Sequence, residues 1–184
     1  MHLWLKQSFG LLVCGLISSS VWAGQLAAKL NTQIELLPSC VVNNQTVQNG
    51  TTSLNFGQLD FGETTASFNG VINTNLSNGT SSGLKIQCSG NSSIKVTFGA
   101  GQHDNKVPAA FVANYFRAVS NGKDFLAYNL LYGTNKQILG PNQSITLNNN
   151  GQVQTLDIFG QTVNNGQPVS LGHYTDTIPV TIEF

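Results

Sequence analysis

The sequence predicts a secreted all-β sandwich, and three observations carry that prediction. Polarity in the 184 residues comes from Asn, Gln, Ser, Thr and Gly rather than from charge: only 9 % are Asp, Glu, Lys or Arg, and the formal net charge is zero. That mixture is poor in helix formers and rich in turn formers. Asn-Gly, in which both residues tolerate positive φ, occurs at Asn49-Gly50, Asn69-Gly70, Asn78-Gly79, Asn121-Gly122, Asn150-Gly151 and Asn165-Gly166, and it is the strongest short-range hairpin signal. Between these turns lie short apolar-rich runs at the spacing of sandwich strands rather than of a parallel sheet. The length allows one domain, or at most a small pair, with a proper core. A balance of charge so near zero predicts no nucleic-acid partner and no steering toward acidic membranes.

Residues 1–23 read as a secretory signal. Lys6 supplies the positive start, Leu11 to Ile17 the apolar centre, and Val21-Trp22-Ala23 a small-x-small site with cleavage after Ala23. The apolar run is too short to span a membrane as a helix. Removing the signal takes Lys6 and Cys14 away. Eight basic residues less Lys6 leaves seven against eight acidic, a net charge of −1, and the cysteines left are Cys40 and Cys88. An even pair in an exported domain favours one disulfide over two buried free thiols. Closing a loop of that size stabilises by about 4 kcal/mol in the chain-entropy treatment.

The opening of the mature chain, Gly24 to Leu37, alternates. Leu26, Ala28, Leu30, Thr32, Ile34 and Leu36 share one parity, while Gln25, Ala27, Lys29, Asn31, Gln33 and Glu35 share the other. In a strand this puts nearly all apolar side chains on one face. The stripe from Leu26 to Leu36 covers about 11 residues and would reach roughly 37 Å, about twice a typical strand. Such a segment suits two tasks, one half pairing within its own fold and the other reaching elsewhere.

Further along, Leu54, Phe56, Leu59 and Phe61 switch parity at Gly57, which predicts a bulge. Leu84, Ile86 and Cys88 alternate, and Ser89-Gly90-Asn91 turns the chain into Ile94, Val96 and Phe98. Phe111 to Val119 and Phe125 to Tyr132 are aromatic-rich. Within the first, Phe111 to Phe116 fits a short helix or a strand, and its β-branched and aromatic content favours strand. Val153 to Phe159 is the next run. The last stretch mirrors the first: Tyr174, Ile178, Val180, Ile182 and Phe184 share one parity, and Thr175, Thr177, Thr181 and Glu183 the other. Pro179 cannot donate to a ladder, so one side of this strand is expected to be an edge or a bulge. The pattern runs up to Phe184 with no turn and no following strand. A long apolar edge of this kind needs a cover. A spare amphipathic strand at one end and an uncovered one at the other point to strand exchange between copies, by β-augmentation through a head-to-tail interface.

The ending Gly172-His173-Tyr174-Thr175-Asp176-Thr177 followed by Ile178-Pro179-Val180-Thr181-Ile182-Glu183-Phe184 resembles the G-x-Y-x-D-T-x-x-V-T-x-x-F close of spore coat protein U domains. That domain also builds the subunits of archaic (Csu-type) chaperone–usher pili. Leu59-Asp60-Phe61-Gly62, the early Cys40 with the later Cys88, and Tyr128-Asn129-Leu130-Leu131-Tyr132 add to the likeness, which covers essentially the whole mature chain. The resemblance implies an incomplete immunoglobulin-like sandwich lacking its last strand, over residues 33–184. It implies a donor strand at 24–32, with Leu26, Ala28 and Leu30 filling the groove of a neighbour and Thr32 closing the segment, while Ile34 and Leu36 begin the subunit's own first strand. Tyr174, Ile178, Val180, Ile182 and Phe184 would edge the acceptor groove. Its implied partners are a periplasmic chaperone, an outer-membrane usher and neighbouring pilus subunits, and its implied role is attachment and biofilm formation at the cell surface. Pro179 and the small Ala28 depart from the pattern.

Other chemistries find less support. His173 and Asp176 have the spacing of a metal pair, but two ligands do not make a site, and a turn histidine beside a capping aspartate is expected. His103-Asp104 reads as a solvated turn. There is no nucleophile elbow and no assignable carboxylate pair, so neither an enzyme nor a small-molecule cofactor is expected. The Asn-x-Ser/Thr triplets, for instance Asn44-Gln45-Thr46 and Asn78-Gly79-Thr80, are what so Asn-rich a chain produces by chance. A coat protein of spores or the cell surface, or a secreted binding module or adhesin, are the rival readings.

Overall fold

The computed structural model describes residues 24–52, 54–78, 83–90 and 93–184. The expected signal and its cleavage site, residue 79 of the Asn78-Gly79 pair and residue 91 of the 89–91 turn lie outside the described residues. The chain divides into two compact units, Met1–Glu35 and Leu36–Phe184. Residues 24–35 of the first unit form no strand, and all of their side chains are exposed.

The second unit is all-β. Among its described residues twelve strands follow one another: β1 (Ser39–Val42), β2 (Gln45–Gln48), β3 (Asn69–Asn75), β4 (Leu84–Cys88), β5 (Ile94–Phe98), β6 (Arg117–Ser120), β7 (Phe125–Tyr132), β8 (Gln137–Leu139), β9 (Gln143–Leu147), β10 (Gln154–Leu156), β11 (Ile158–Asn165) and β12 (Val180–Glu183). They form three sheets in the orders β10-β4-β1-β2, β3-β11-β7-β6 and β12-β5-β9, with β8 sharing an edge of β7. All the pairings are antiparallel. One hydrophobic cluster draws on all three: Val42, Ile86 and Leu156 from the first sheet, Tyr128, Leu130 and Ile158 from the second, Ile94, Val96 and Ile145 from the third. This layering of antiparallel sheets over a shared core is consistent with an immunoglobulin-like sandwich.

Alternation is realised where it was cleanest. Leu84, Ile86 and Cys88 are buried along β4, as are Ile94, Val96 and Phe98 along β5. β7 spans Phe125–Tyr132 and is buried on both faces. On its outer face the Asn129 amide holds the incoming chain, accepting from the Phe116 N–H at 3.0 Å and donating to the Asn114 carbonyl at 2.8 Å. Cys40 and Cys88 face each other directly across β1 and β4, with Cα atoms 4.0 Å apart, and form the disulfide.

Elsewhere the chain departs from the pattern. Phe111 to Phe116 is no strand: the Tyr115 N–H bonds the Phe111 carbonyl at 2.9 Å in a single helical turn, and the strand begins at Arg117. Pro108 keeps the turn from extending backwards, and the missing apolar period leaves no buried face to extend it forwards. Residues 54–61 carry one bridge, Gln58 to Ser77, instead of a strand. Gly57 is nevertheless needed there, since it has φ +127° and a Cβ would lie 2.7 Å from the Ser77 carbonyl. Val153 to Phe159 is two strands, because Leu156 pairs with Leu84 in the first sheet and Ile158 with Tyr132 in the second. Ile34 and Leu36 lie before β1, which starts at Ser39, and both are exposed. Pro38, which has no N–H for a ladder, separates them from the strand.

The Asn-Gly pairs divide as well. Asn121-Gly122 closes the β6–β7 hairpin, with the Asn121 side chain accepting from the Lys123 and Asp124 N–H groups. Asn69-Gly70 instead opens β3. The β1–β2 hairpin turns on Asn43-Asn44, both at positive φ (47° and 66°), as a primed turn requires.

Candidate subunit interface

Along the final stretch the residues Tyr174, Asp176, Ile178, Val180, Ile182 and Phe184 are half-buried as whole residues, and those between them are exposed. Alternation therefore extends well beyond the four residues of β12. The half-buried set lines a groove of about 1510 Å³, together with Leu54, Phe56, Leu59 and Phe61 and with core residues Leu84, Phe98, Leu130 and Ile158. Most of this lining is aliphatic or aromatic, so the groove is an apolar surface left only partly covered. β12 sits at the end of its sheet, with β5 on one side and no strand on the other among the described residues.

The ladder determines which backbone groups face that open side. Gly99 N–H donates to the Pro179 carbonyl at 2.8 Å, and Thr181 and Glu183 continue the register opposite Thr97 and Lys95. In an antiparallel strand the N–H and C=O of one residue point the same way, and successive residues point oppositely. The odd residues therefore face β5, and Val180 and Ile182 turn both backbone groups to the open edge. Pro179 is odd. Its missing N–H falls on the paired side and leaves the open edge intact, so the expected edge exists while the proline does not interrupt it.

A buried polar cluster anchors the start of this stretch. Thr175 exchanges backbone bonds with Ser120 of β6 at 2.9 and 3.0 Å. The Asp176 carboxylate, 2 % exposed, accepts from the Tyr128 hydroxyl at 2.6 Å and from the Gln102 N–H at 2.8 Å. His103, not His173, lies beside it, with Nδ1 3.4 Å from Asp176 Oδ1 but not aligned for a hydrogen bond. His103 is half-buried against the Phe125 ring rather than solvated. Among the described residues no three potential metal ligands come together. Asp176 is thus a capping residue, as expected, though what it caps is a loop far away in sequence.

Arg117 is the chain's single arginine and is fully buried. Its guanidinium donates to the Gly99 carbonyl at 3.0 Å, to Asp104 Oδ2 at 3.3 Å and to the Gly140 carbonyl at 3.2 Å. Burial pushes the Asp104 carboxyl above its ordinary range, and the Gly101 N–H and Arg117 offset only part of that. Burial, then the bond to Asp176, likewise drives the Tyr128 hydroxyl far up. Neither Arg117 nor Tyr128 stood out in the sequence as a site residue. The available signal was a lone arginine inside the apolar run Phe116 to Val119.

The opening stripe presents the opposite picture. Leu26 and Leu30 are 95 % and 89 % exposed, and Ala28 and Thr32 are exposed too. Soluble chains rarely leave such an apolar series uncovered.

Residues 26–181 match the Spore Coat Protein U domain. The chain belongs to the Spore Coat Protein U domain family. No curated protein matches it. A similar solved structure is the CsuC–CsuE chaperone–tip adhesion subunit pre-assembly complex from archaic chaperone-usher Csu pili of Acinetobacter baumannii, at 22 % identity and a TM-score of 0.43. That match covers 81 % of this chain and 40 % of the other. Within this Spore Coat Protein U domain, the motif residues Tyr174 and Asp176 tie the start of the final stretch down with their side chains. The Tyr174 hydroxyl donates to the Ser170 carbonyl at 2.8 Å, as Asp176 takes the bond from Tyr128.

Proposed function

We propose that this Spore Coat Protein U domain is a structural pilus subunit that polymerises by donor-strand complementation. Residues 24–32 of one copy would lie along the open edge of the next, with Leu26, Ala28, Leu30 and Thr32 turned into the groove and Tyr174, Ile178, Val180, Ile182 and Phe184 as its edge. The observation that carries this reading is the match between two incomplete surfaces on one chain. One is an apolar groove flanked by a row of backbone groups that no strand among the described residues pairs, and the other an exposed amphipathic segment with the same two-residue period. Pairing them supplies both the hydrogen bonds and the apolar cover that each lacks. Because donor and acceptor are different surfaces, the contact is head-to-tail and builds a filament.

Before assembly a periplasmic chaperone would cover the groove, and an outer-membrane usher would exchange it for the incoming donor, delivering subunits to the cell surface for attachment. This route requires removal of residues 1–23 after Ala23. Periplasmic expression with and without the chaperone tests the reading. The chain alone should self-associate, and co-expression should yield a soluble one-to-one complex. A mature chain lacking residues 24–32 that stays monomeric and refolds reversibly without a partner would refute it.

A further inference from the structure

We infer that Arg117 is a positioning residue for the groove: its guanidinium takes the place of the main-chain amide that Pro179 lacks, and so holds the wall on which the donor pairs. The clause about the donor rests on the function proposed above; the clamp does not.

Gly99 and Pro179 form a hydrogen-bonded antiparallel pair with only half its bonds. Gly99 N–H donates to the Pro179 carbonyl at 2.8 Å. Any other residue at 179 would return a bond from its own N–H to the Gly99 carbonyl, and proline cannot. An acceptor left so near the core needs another donor. Arg117 Nη1 reaches it at 3.0 Å. The reach is between sheets: Arg117 lies on β6, opposite Tyr128, whereas Gly99 follows directly on β5. Asp104 shares Nη1 with the Gly99 carbonyl and the Gly140 carbonyl takes Nη2, which fixes the orientation of the fork. Lysine, a point charge on a flexible stem, does not reproduce that fork.

The arrangement explains the pair itself. A Cβ on residue 99 would come within 2.8 Å of the Pro179 ring, so the ring packs where only glycine fits. At an even position, proline would instead delete a donor from the open edge. Placed at 179 it stiffens the wall and leaves that edge whole, provided that something else bonds the Gly99 carbonyl.

The test is a mutant cycle on the mature chain. Arg117→Lys should speed exchange of the Thr181 and Glu183 amides, the two that bond to β5, about ten-fold or more, and weaken binding of a synthetic peptide spanning Gly24 to Glu35 to a similar degree. Adding Pro179→Val supplies the missing N–H and should bring exchange back to within about two-fold of wild type, with peptide binding following it. A general loss of stability would not be repaired by one restored amide. Unchanged exchange in Arg117→Lys, or no recovery in the double variant, overturns the inference. If Arg117→Lys does not fold, the double variant should; its failure to fold overturns the inference equally. Exchange that follows the cycle while the wild type neither self-associates nor takes up peptide upholds the clamp and refutes the donor reading instead.

Discussion

The Tyr128 hydroxyl donates to the Asp176 carboxylate at 2.6 Å, joining the middle of β7 to the motif aspartate of the final stretch. Both side chains are buried, so the bond is charge-assisted and shielded from water. Tyr128→Phe leaves one carboxylate oxygen without its donor and should cost about 1.5–3 kcal/mol in urea unfolding. The pH dependence follows from the direction of the shift. The folded state raises the Tyr128 pKa, so its contribution is complete below the unfolded tyrosine value near 10 and is lost as pH rises above that. Wild type should therefore weaken above about pH 10 more steeply than Tyr128→Phe. Parallel alkaline limbs would contradict the bond.

Asp124 contributes on the acid side. Its carboxylate accepts from the Ser170 N–H at 2.6 Å, and that bond, with the Ser170 hydroxyl, holds its pKa below the ordinary carboxylate value. A lowered folded pKa gives stability that is present above the unfolded value, about 4, and is lost as pH falls through the folded one. Asp124→Asn should flatten the acid limb of the stability curve below about pH 4. An unchanged limb counts against it.

The disulfide should matter more than its position inside one sheet suggests. Replacing Cys40 and Cys88 together by Ala frees a loop with a sequence separation of 48 and should lower stability by about 2–5 kcal/mol. Equal urea midpoints for the oxidised wild type and the double variant would overturn this.

Assembly should depend on face rather than on composition. Leu30→Asp would put an unpaired charge into the groove of a neighbour, at a cost of several kcal/mol. Lys29→Asp alters the outward face, where changes stay within about 0.5 kcal/mol. Leu30→Asp should abolish SDS-resistant, heat-dissociable polymers and still be captured by chaperone; Lys29→Asp should assemble. Equal loss from both would refute the register.

Strands were legible where alternating residues meet a single buried face, as at Leu84, Ile86 and Cys88, because burial then enforces the period. The half-buried alternation from Tyr174 to Phe184 was legible for the same reason. Residues 54–61 have the apolar content of a strand but find one bridge partner, and content cannot say whether a partner strand exists. Phe111 to Phe116 turned on local bonds behind a proline. The Arg117–Gly99–Pro179 arrangement lay out of reach, since parity along a strand does not say which side its neighbour occupies. Once β5 was placed beside the odd residues, the role of the proline and the need for a cation followed together.

The Cys40–Cys88 bond also has a mechanical side. Tension entering the domain through the residues ahead of β1 meets Cys40 within the first two residues of that strand, and the covalent bridge hands it straight across to Cys88 on β4. The chain between them is thereby taken out of the load path. With a sequence separation of 48, that is roughly 160 Å of slack, at 3.3–3.6 Å per extended residue, that pulling on this end cannot draw out. A filament of such units would be stiff against unravelling from its linkers and would yield only where strands are held by hydrogen bonds alone.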